Sequence, residues 1–524
     1  MLNQVEKVLI IDFGGPEKTI VAREIRESHV FSEVKSPTIT AAEIRQTGYK
    51  AVFLCGRPTL EGMTKSGGVR PGIPFDKEIF ALDIPILAFS FAARVMMQLK
   101  RGQVAIPGDN EDGAWDAESE ELKVEIVKED KLLAGLGQSF VAHSSSPYFI
   151  KSIPAEMTGL ARAENMPYLI SGDLSRHHYA LDLQAKLDQQ VVRQIIQNFL
   201  GPIAGVKADW RMEDYLEFAL KDLRERCGDK HALLALSGGV DSSVVAALAH
   251  RALGDKLHAV FVDHGFMRLN EPQWIEEIFR KERGLNLKRV DAEERFLGKL
   301  AGVTDPEQKR KIIGEEFIRV FEEEARALDN VDFLLQGTIY PDVIESGIGA
   351  KKVKSHHNVG GLPEDIGFEA VLEPLRPLYK EEVRELGRLL GLPEDLVNRQ
   401  PFPGPGLAVR CLGECRKEKL DLLREADHIY REELEKAGFK GKIGQYFAVI
   451  TEAKSVGTTQ GGERRYADTI ALRAVETTDF MTAKVSRLPW DLLEHIATRI
   501  ITELEGVSRV VYDISPKPPA TIEW

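Results

Sequence analysis

Apolar positions gather early in the chain into short runs at 8–11, 51–55 and 84–89, bounded by Gly, Asp and Pro. Runs of this length without polar alternation suit strands buried on both faces, so parallel strands of an α/β sheet are expected. The pattern breaks at Gly201-Pro202-Ile203-Ala204-Gly205. A helix is expected to begin near Glu213, with Leu216, Ala219, Leu220 and Leu223 on one face and Gly228 as its stop. A strand at 232–236, a helix at 242–253 ended by Gly254 and a strand at 257–262 then make a βαβ unit, which predicts a second, doubly wound parallel sheet. At 399–406, Pro401, Pro403 and Pro405 interleave with Gly404 and Gly406 and cannot continue a helix. Beyond them a long charged helix near 418–438 and a β-like stretch at 508–514 suggest a small α+β region. The expected organisation is an α/β domain over 1–203, a doubly wound parallel-sheet domain over 204–398 and an α+β domain over 399–524. There are no internal repeats.

The length of 524 residues agrees with about three domains of roughly 150 residues each. Lys and Arg number 69 against 82 Asp and Glu, a formal charge of −13, which argues against a protein that coats nucleic acid. Small phosphates remain suitable ligands for local basic pockets. With 43% hydrophobic and 29% charged residues the chain has ordinary globular composition, which indicates neither disorder nor fibre. Cys55, Cys227, Cys411 and Cys415 are too few to staple a secreted scaffold of this size. The run at 8–11 is too short for a signal or a membrane span, so a cytoplasmic location is expected.

The densest chemistry is Ser237-Gly238-Gly239-Val240-Asp241-Ser242-Ser243, between a buried strand and a helix. Glycines let backbone N–H groups turn inward, hydroxyls add donors, and a helix N-terminus adds partial positive charge, which together form a nest for pyrophosphate. Asp241 can hold the accompanying Mg²⁺. The lysine and spacing of a Walker A loop are absent. A plain capped turn would also use Ser and Asp, but it needs neither the paired glycines nor three serines.

This loop resembles that of the ATP pyrophosphatase superfamily, whose members split ATP into AMP and pyrophosphate while adenylating a substrate oxygen. From about residue 205 to the end the chain is similar to one family within it, the GMP synthetases. The likeness is carried by Phe261-Val262-Asp263-His264-Gly265, by 305–314, by 336–346, by Lys354-Ser355-His356-His357-Asn358, by 401–407 and by Lys517-Pro518-Pro519-Ala520-Thr521-Ile522-Glu523-Trp524. The resemblance implies attack of the 2-oxygen of XMP on the α-phosphate of ATP, followed by displacement of AMP by ammonia. It implies Mg²⁺ on Asp241 and Asp342, pyrophosphate on Lys354 and on 237–243, and adenosine beside Val262 and Asp263. It assigns XMP to Arg310, Gln445, Arg509, Lys517, Thr521 and Glu523, with Arg310 in a mobile lid, and it implies a homodimer. Membrane and nucleic acid are not expected partners. His356-His357 lack ligand partners at metal spacing, and Cys411 and Cys415 read as buried or idle thiols. Gln400 stands where the family has a histidine, and Gly462 where it has an aspartate.

The first domain resembles a class I glutamine amidotransferase in its scaffold, through Ile11-Asp12-Phe13-Gly14-Gly15, Pro85-Ile86-Leu87 and Ile153-Pro154-Ala155. Its catalytic positions differ. The family turn has a cysteine between flanking glycines, whereas this chain has Ala88-Phe89-Ser90-Phe91-Ala92. A serine hydroxyl is a poor nucleophile without a strong base. The family's His-Pro-Glu is expected near Asp173-Leu174-Ser175, and Cys55-Gly56-Arg57-Pro58 replaces the oxyanion loop. A degenerate glutaminase follows, with XMP, ATP and ammonia, free or from another glutaminase, as the expected substrates. The alternatives are a working glutaminase built on Ser90 with His177 or His178, and a non-catalytic XMP or ATP sensor.

Overall fold

The computed structural model describes residues 5–14, 17–56, 75–105, 120–144, 149–164, 166–183, 189–328, 331–345, 368–458, 462–477 and 482–524. The chain folds into two compact units, Met1–Tyr215 and Leu216–Trp524.

In the first unit the expected apolar runs form strands Lys7–Asp12, Val52–Cys55 and Ile86–Phe89, and Val8 to Ile11 are fully buried. Five parallel strands run in the order Phe31–Lys35, Lys7–Asp12, Val52–Cys55, Ile86–Phe89, His178–Leu181. Met166–Asp173, Thr158–Ala163, Glu120–Ile126 and Ser139–Ser144 extend the sheet antiparallel. Helix Ser90–Leu99 turns its apolar side, including Val95, Met96 and Met97, into the sheet's core. Helices Glu17–Glu27 and Gln189–Asn198 are tied by Arg193 Nε, 2.6 Å from the buried carboxylate of Glu24.

The second unit begins within helix Met212–Cys227, which is ended by Gly228 at φ +55°. Its parallel sheet has the order Leu287–Asp291, Leu257–Asp263, His231–Ala235, Val331–Leu335, Ala370–Leu372. Helix Val240–Leu253 is apolar nearly all round and correspondingly buried from Ser242 to Ala249. The C-terminal sheet is a long hairpin, Gln445–Thr458 with Arg464–Glu476, to which Val507–Asp513 adds in parallel. Helices Lys417–Lys436 and Trp490–Glu503 cover it. The two sheets do not have separate cores: Leu233, Phe266 and Phe321 belong to the same buried cluster as Leu423, Tyr430 and Ile496. Among the described residues no helix is long and apolar enough to cross a membrane.

Candidate active site

Strand His231–Ala235 delivers Ser237 to the loop, and Gly238 takes φ +75°, a left-handed conformation that side chains disfavour. A serine ring fixes the turn. Ser242 Oγ accepts from Ser237 N at 3.2 Å, lies 2.9 Å from Ser237 Oγ and donates to Gly239 O at 3.2 Å. The helix that follows starts at Gly239 with no side-chain cap, so its first N–H groups stay available to an anion. That separates this loop from an ordinary capped turn. Ser243 is fully buried and its hydroxyl has no partner among the described residues.

Asp241 sits in the first turn of this helix, and Lys380 donates to both of its carboxylate oxygens, at 2.8 and 2.9 Å. Gly337 lies against the loop so closely that a Cβ there would come within 3.3 Å of the Asp241 Cβ. The segment after strand Val331–Leu335 therefore abuts the phosphate loop. Asp342 lies in the next short helix, Tyr340–Glu345, where its Oδ2 accepts from Ile339 N at 3.1 Å. Lys354, His356 and His357 lie outside the described residues. A hard divalent cation suits carboxylates of this kind, and the ammonium on Asp241 marks where positive charge is already drawn.

The next strand, Leu257–Asp263, ends beside the loop strand. Val262 is buried, so it has chiefly its backbone to offer a ligand. The Asp263 carboxylate is engaged, accepting from Arg289 at 2.7 Å and from Gly265 N at 3.1 Å. Burial pushes His264 down to about 4, against Asp263 and Glu271, which pull it up. It is neutral near pH 7, and its Nδ1 accepts from Phe266 N at 3.0 Å.

At the far end of the chain, Gln445 and Glu523 meet at 3.2 Å, and Arg410 donates to both oxygens of Glu523, at 3.0 and 2.7 Å. Arg410 is fully buried, with its guanidinium 3.9 Å from the ring centroid of Phe447. Arg473, also fully buried, donates to Ile522 O at 2.8 Å, Thr521 O at 2.9 Å, Ser515 O at 3.1 Å and Asp513 at 2.6 Å. The tail is thus clamped rather than frayed. Thr521 Oγ donates to Glu523 O, and Lys517 exchanges backbone bonds with Ala483. Arg509 stands exposed on strand Val507–Asp513. Arg310 meets Glu307 at 3.2 Å on its own helix, Pro306–Arg326. Its neighbour Lys309 is not solvated: it is buried and donates to Ala408 O at 3.1 Å and Cys411 O at 2.6 Å. Lys380, Arg399, Arg410 and Arg473 were not singled out in the sequence, because single cations far apart in the chain form no pattern.

In the first unit, Ser90 occupies the sharp turn from strand Ile86–Phe89 into helix Ser90–Leu99, at φ +44°. The elbow survives without glycines, since Ala88 and Ala92 both bury their methyls completely. Ser90 Oγ lies 2.7 Å from Glu17 Oε1 and also contacts Leu183 O, while the other oxygen of Glu17 accepts from Gly56 N at 3.1 Å. One carboxylate therefore spans Ser90 and Gly56, the residues expected at the nucleophile turn and the oxyanion loop.

Asp173 and Ser175 do not stand where a base and its orienting acid would. Asp173 is in register with His178, and His178 with Ile86, three residues before Phe89, so both lie toward the opposite end of the strands from Ser90. Asp173 instead accepts from Ser175 Oγ at 2.7 Å in a hairpin turn. The expected position of His-Pro-Glu is corrected accordingly: the segment that reaches Ser90 follows Leu181, which is in register with Phe89. It reads Asp182-Leu183-Gln184-Ala185-Lys186, without histidine, and 184–188 lie outside the described residues. His177 and His178 share the remote end with Asp173. His178 is buried, held at about 4 by desolvation, and lies 3.2 Å from Ile84 O.

A family model described as GMP synthase C terminal domain matches residues 432–524, and one described as NAD synthase matches 212–293. The chain is similar to "GMP synthase [glutamine-hydrolyzing]" of Acetivibrio thermocellus, at 46% identity over 522 residues, 99% of each chain. It is 46% identical to the protein of that name from Ruminiclostridium cellulolyticum over 526 residues, again 99% of each. The protein of the same name from Clostridium novyi is 45% identical and covered over the full length of both chains.

Proposed function

The chain belongs to the GMP synthase family, ligases that aminate XMP to GMP with ATP, and from that premise we propose that this protein takes its nitrogen from free ammonia. The observation that carries this reading is the carboxylate of Glu17, set against both Ser90 Oγ and Gly56 N. A glutaminase needs a nucleophile with a base and a free donor for the developing oxyanion. Here the hydroxyl lies against a carboxylate, the Gly56 donor is engaged by the same group, and both histidines are at the wrong end of the strands.

In the synthetase half, the XMP 2-oxygen bonds to the α-phosphorus of ATP as the bond to pyrophosphate breaks, and ammonia then displaces AMP from adenyl-XMP. The uncapped helix N-terminus and the loop 237–243 face the leaving pyrophosphate, aided by Lys354. Asp241 and Asp342 would hold Mg²⁺, which supplies positive charge against that leaving group. Val262 and Asp263 border the adenosine. Gln445 and Glu523, held by Arg410, bind the XMP base, while Arg310, Arg509, Lys517 and Thr521 complete its site.

A glutamine-hydrolysing activity by other groups is favoured by the names of the relatives. The two readings separate when purified protein is given XMP and Mg·ATP with either ammonium or labelled glutamine. GMP from ammonium alone, with no glutamate released, is the expected result. Glutamate formed in step with GMP overturns the ammonia reading, and GMP from neither donor points to a sensor.

A further inference from the structure

Arg399, Gln400 and Pro401 follow the short helix Glu394–Val397 and reach in different directions. Arg399 donates to Gly238 O in the phosphate loop and to the buried carboxylate of Glu271. In a planar trans peptide the carbonyl and the following N–H point opposite ways. Holding Gly238 O therefore turns the Gly239 N–H to the other side, where it lies 3.4 Å from Ser237 Oγ.

Gln400 grips the other half of the site. Its Nε2 donates to Ile443 O at 3.3 Å, and its Oε1 accepts from Tyr446 N at 3.1 Å. These backbone groups flank Gln445, whose own Nε2 donates to Pro401 O at 3.3 Å and to Glu523 at 3.2 Å. An amide offers the needed donor and acceptor together, and so does a neutral imidazole. That pair of bonds explains how a glutamine can stand where the family has a histidine.

We propose that Arg399 and Gln400 are positioning residues of a single strap, Arg399 setting the phosphate loop for ATP and Gln400 setting Gln445 for XMP. The inference rests on the roles given above to Gln445 and to the loop 237–243. A brace that acted only through packing would disturb both substrates together, whereas the strap acts on each substrate by a different residue.

The test is steady-state kinetics of the full chain with ammonium as nitrogen donor at pH 8, where an imidazole is neutral, following XMP-dependent pyrophosphate release. Gln400→Ala is expected to raise the KM for XMP about tenfold and the KM for ATP less than about twofold, the scale of one or two lost hydrogen bonds. Gln400→His restores the XMP KM, and Arg399→Lys raises the KM for ATP instead. Gln400→Ala that moves both KM values alike, or neither, overturns the strap, and so does failure of Gln400→His to restore. Gln445→Ala is run beside them: an unchanged XMP KM there overturns the role of Gln445 itself, whereas a raised one with Gln400→Ala at the wild-type value overturns the strap alone. The Gln400 pair decides the XMP half even where Arg399→Lys weakens folding by leaving Glu271 less well paired, and an unchanged KM for ATP in folded Arg399→Lys overturns the ATP half.

Discussion

Lys380 donates to both carboxylate oxygens of Asp241, with Nζ 2.8 Å from one and 2.9 Å from the other. The lysine opens helix Lys380–Leu389, and Asp241 lies in the first turn of helix Val240–Leu253, so the ion pair ties two helix N-termini. An Mg²⁺ that takes Asp241 as a ligand competes with this ammonium for the same carboxylate.

Lys380→Met is therefore expected to lower the Mg²⁺ concentration that gives half-maximal activity, by several-fold. A Mg²⁺ titration of pyrophosphate release reads this independently of any change in kcat. Asp241→Asn removes the proposed ligand and is expected to cost on the order of 10² to 10³ in rate, the usual scale for lost charge stabilisation in the transition state. An unchanged Mg²⁺ midpoint in both Lys380→Met and Asp241→Asn would show that the metal does not use Asp241.

Ser90→Cys is not expected to restore a glutaminase. The new thiol would lie beside the Glu17 carboxylate, 2.7 Å from the present hydroxyl, and a neighbouring negative charge disfavours the thiolate. Among the described residues no histidine stands at that end of the strands to deprotonate it. The variant should release no glutamate from labelled glutamine and should react slowly with iodoacetamide at pH 8. Rapid alkylation would show that Glu17 does not suppress ionisation.

The two parallel sheets were legible because strands covered on both faces leave unbroken apolar runs such as Val8 to Ile11. The antiparallel half of the first sheet was not. Glu120–Ile126 carries exposed Glu121 and Glu125 around buried Val124, and such a strand shows little in hydrophobicity alone. The same blindness misplaced the segment expected to correspond to His-Pro-Glu, since counting along the chain cannot tell which of two hairpin-linked strands neighbours Ile86–Phe89. Register decides that, through the pairing of Leu181 with Phe89. The phosphate loop was legible because its residues are contiguous, whereas Arg399, Arg410 and Arg473 act on partners distant in sequence.

Arg473 makes the C-terminal tail part of the fold. With no exposed surface and bonds to Thr521 O, Ile522 O, Ser515 O and Asp513, it cannot be removed without depriving the buried Ile522 O and three partly exposed acceptors of this donor. Arg473→Met is expected to destabilise the second unit by about 3 kcal/mol and to raise the KM for XMP, because Glu523 hangs on the same tail. Denaturant unfolding and XMP kinetics check the two effects. A loss of stability with an unchanged XMP KM would separate the tail from XMP binding.

Two buried histidines give the protein a defined acid sensitivity. His264 in the second unit and His178 in the first are each pushed down to about 4 by desolvation. In the unfolded chain they protonate near the ordinary value of 6.5. Between these values the unfolded state binds more protons, so stability is full above about pH 6.5 and is lost as pH falls toward 4. Each site contributes at most about 3 kcal/mol over that window. Thermal unfolding followed from pH 7 to pH 4.5 should show falling transitions in the wild type. His264→Asn should flatten the slope of the second unit, and His178→Asn that of the first. A wild-type slope retained in both variants would mean that carboxylate pairs, rather than these imidazoles, set the acid limit.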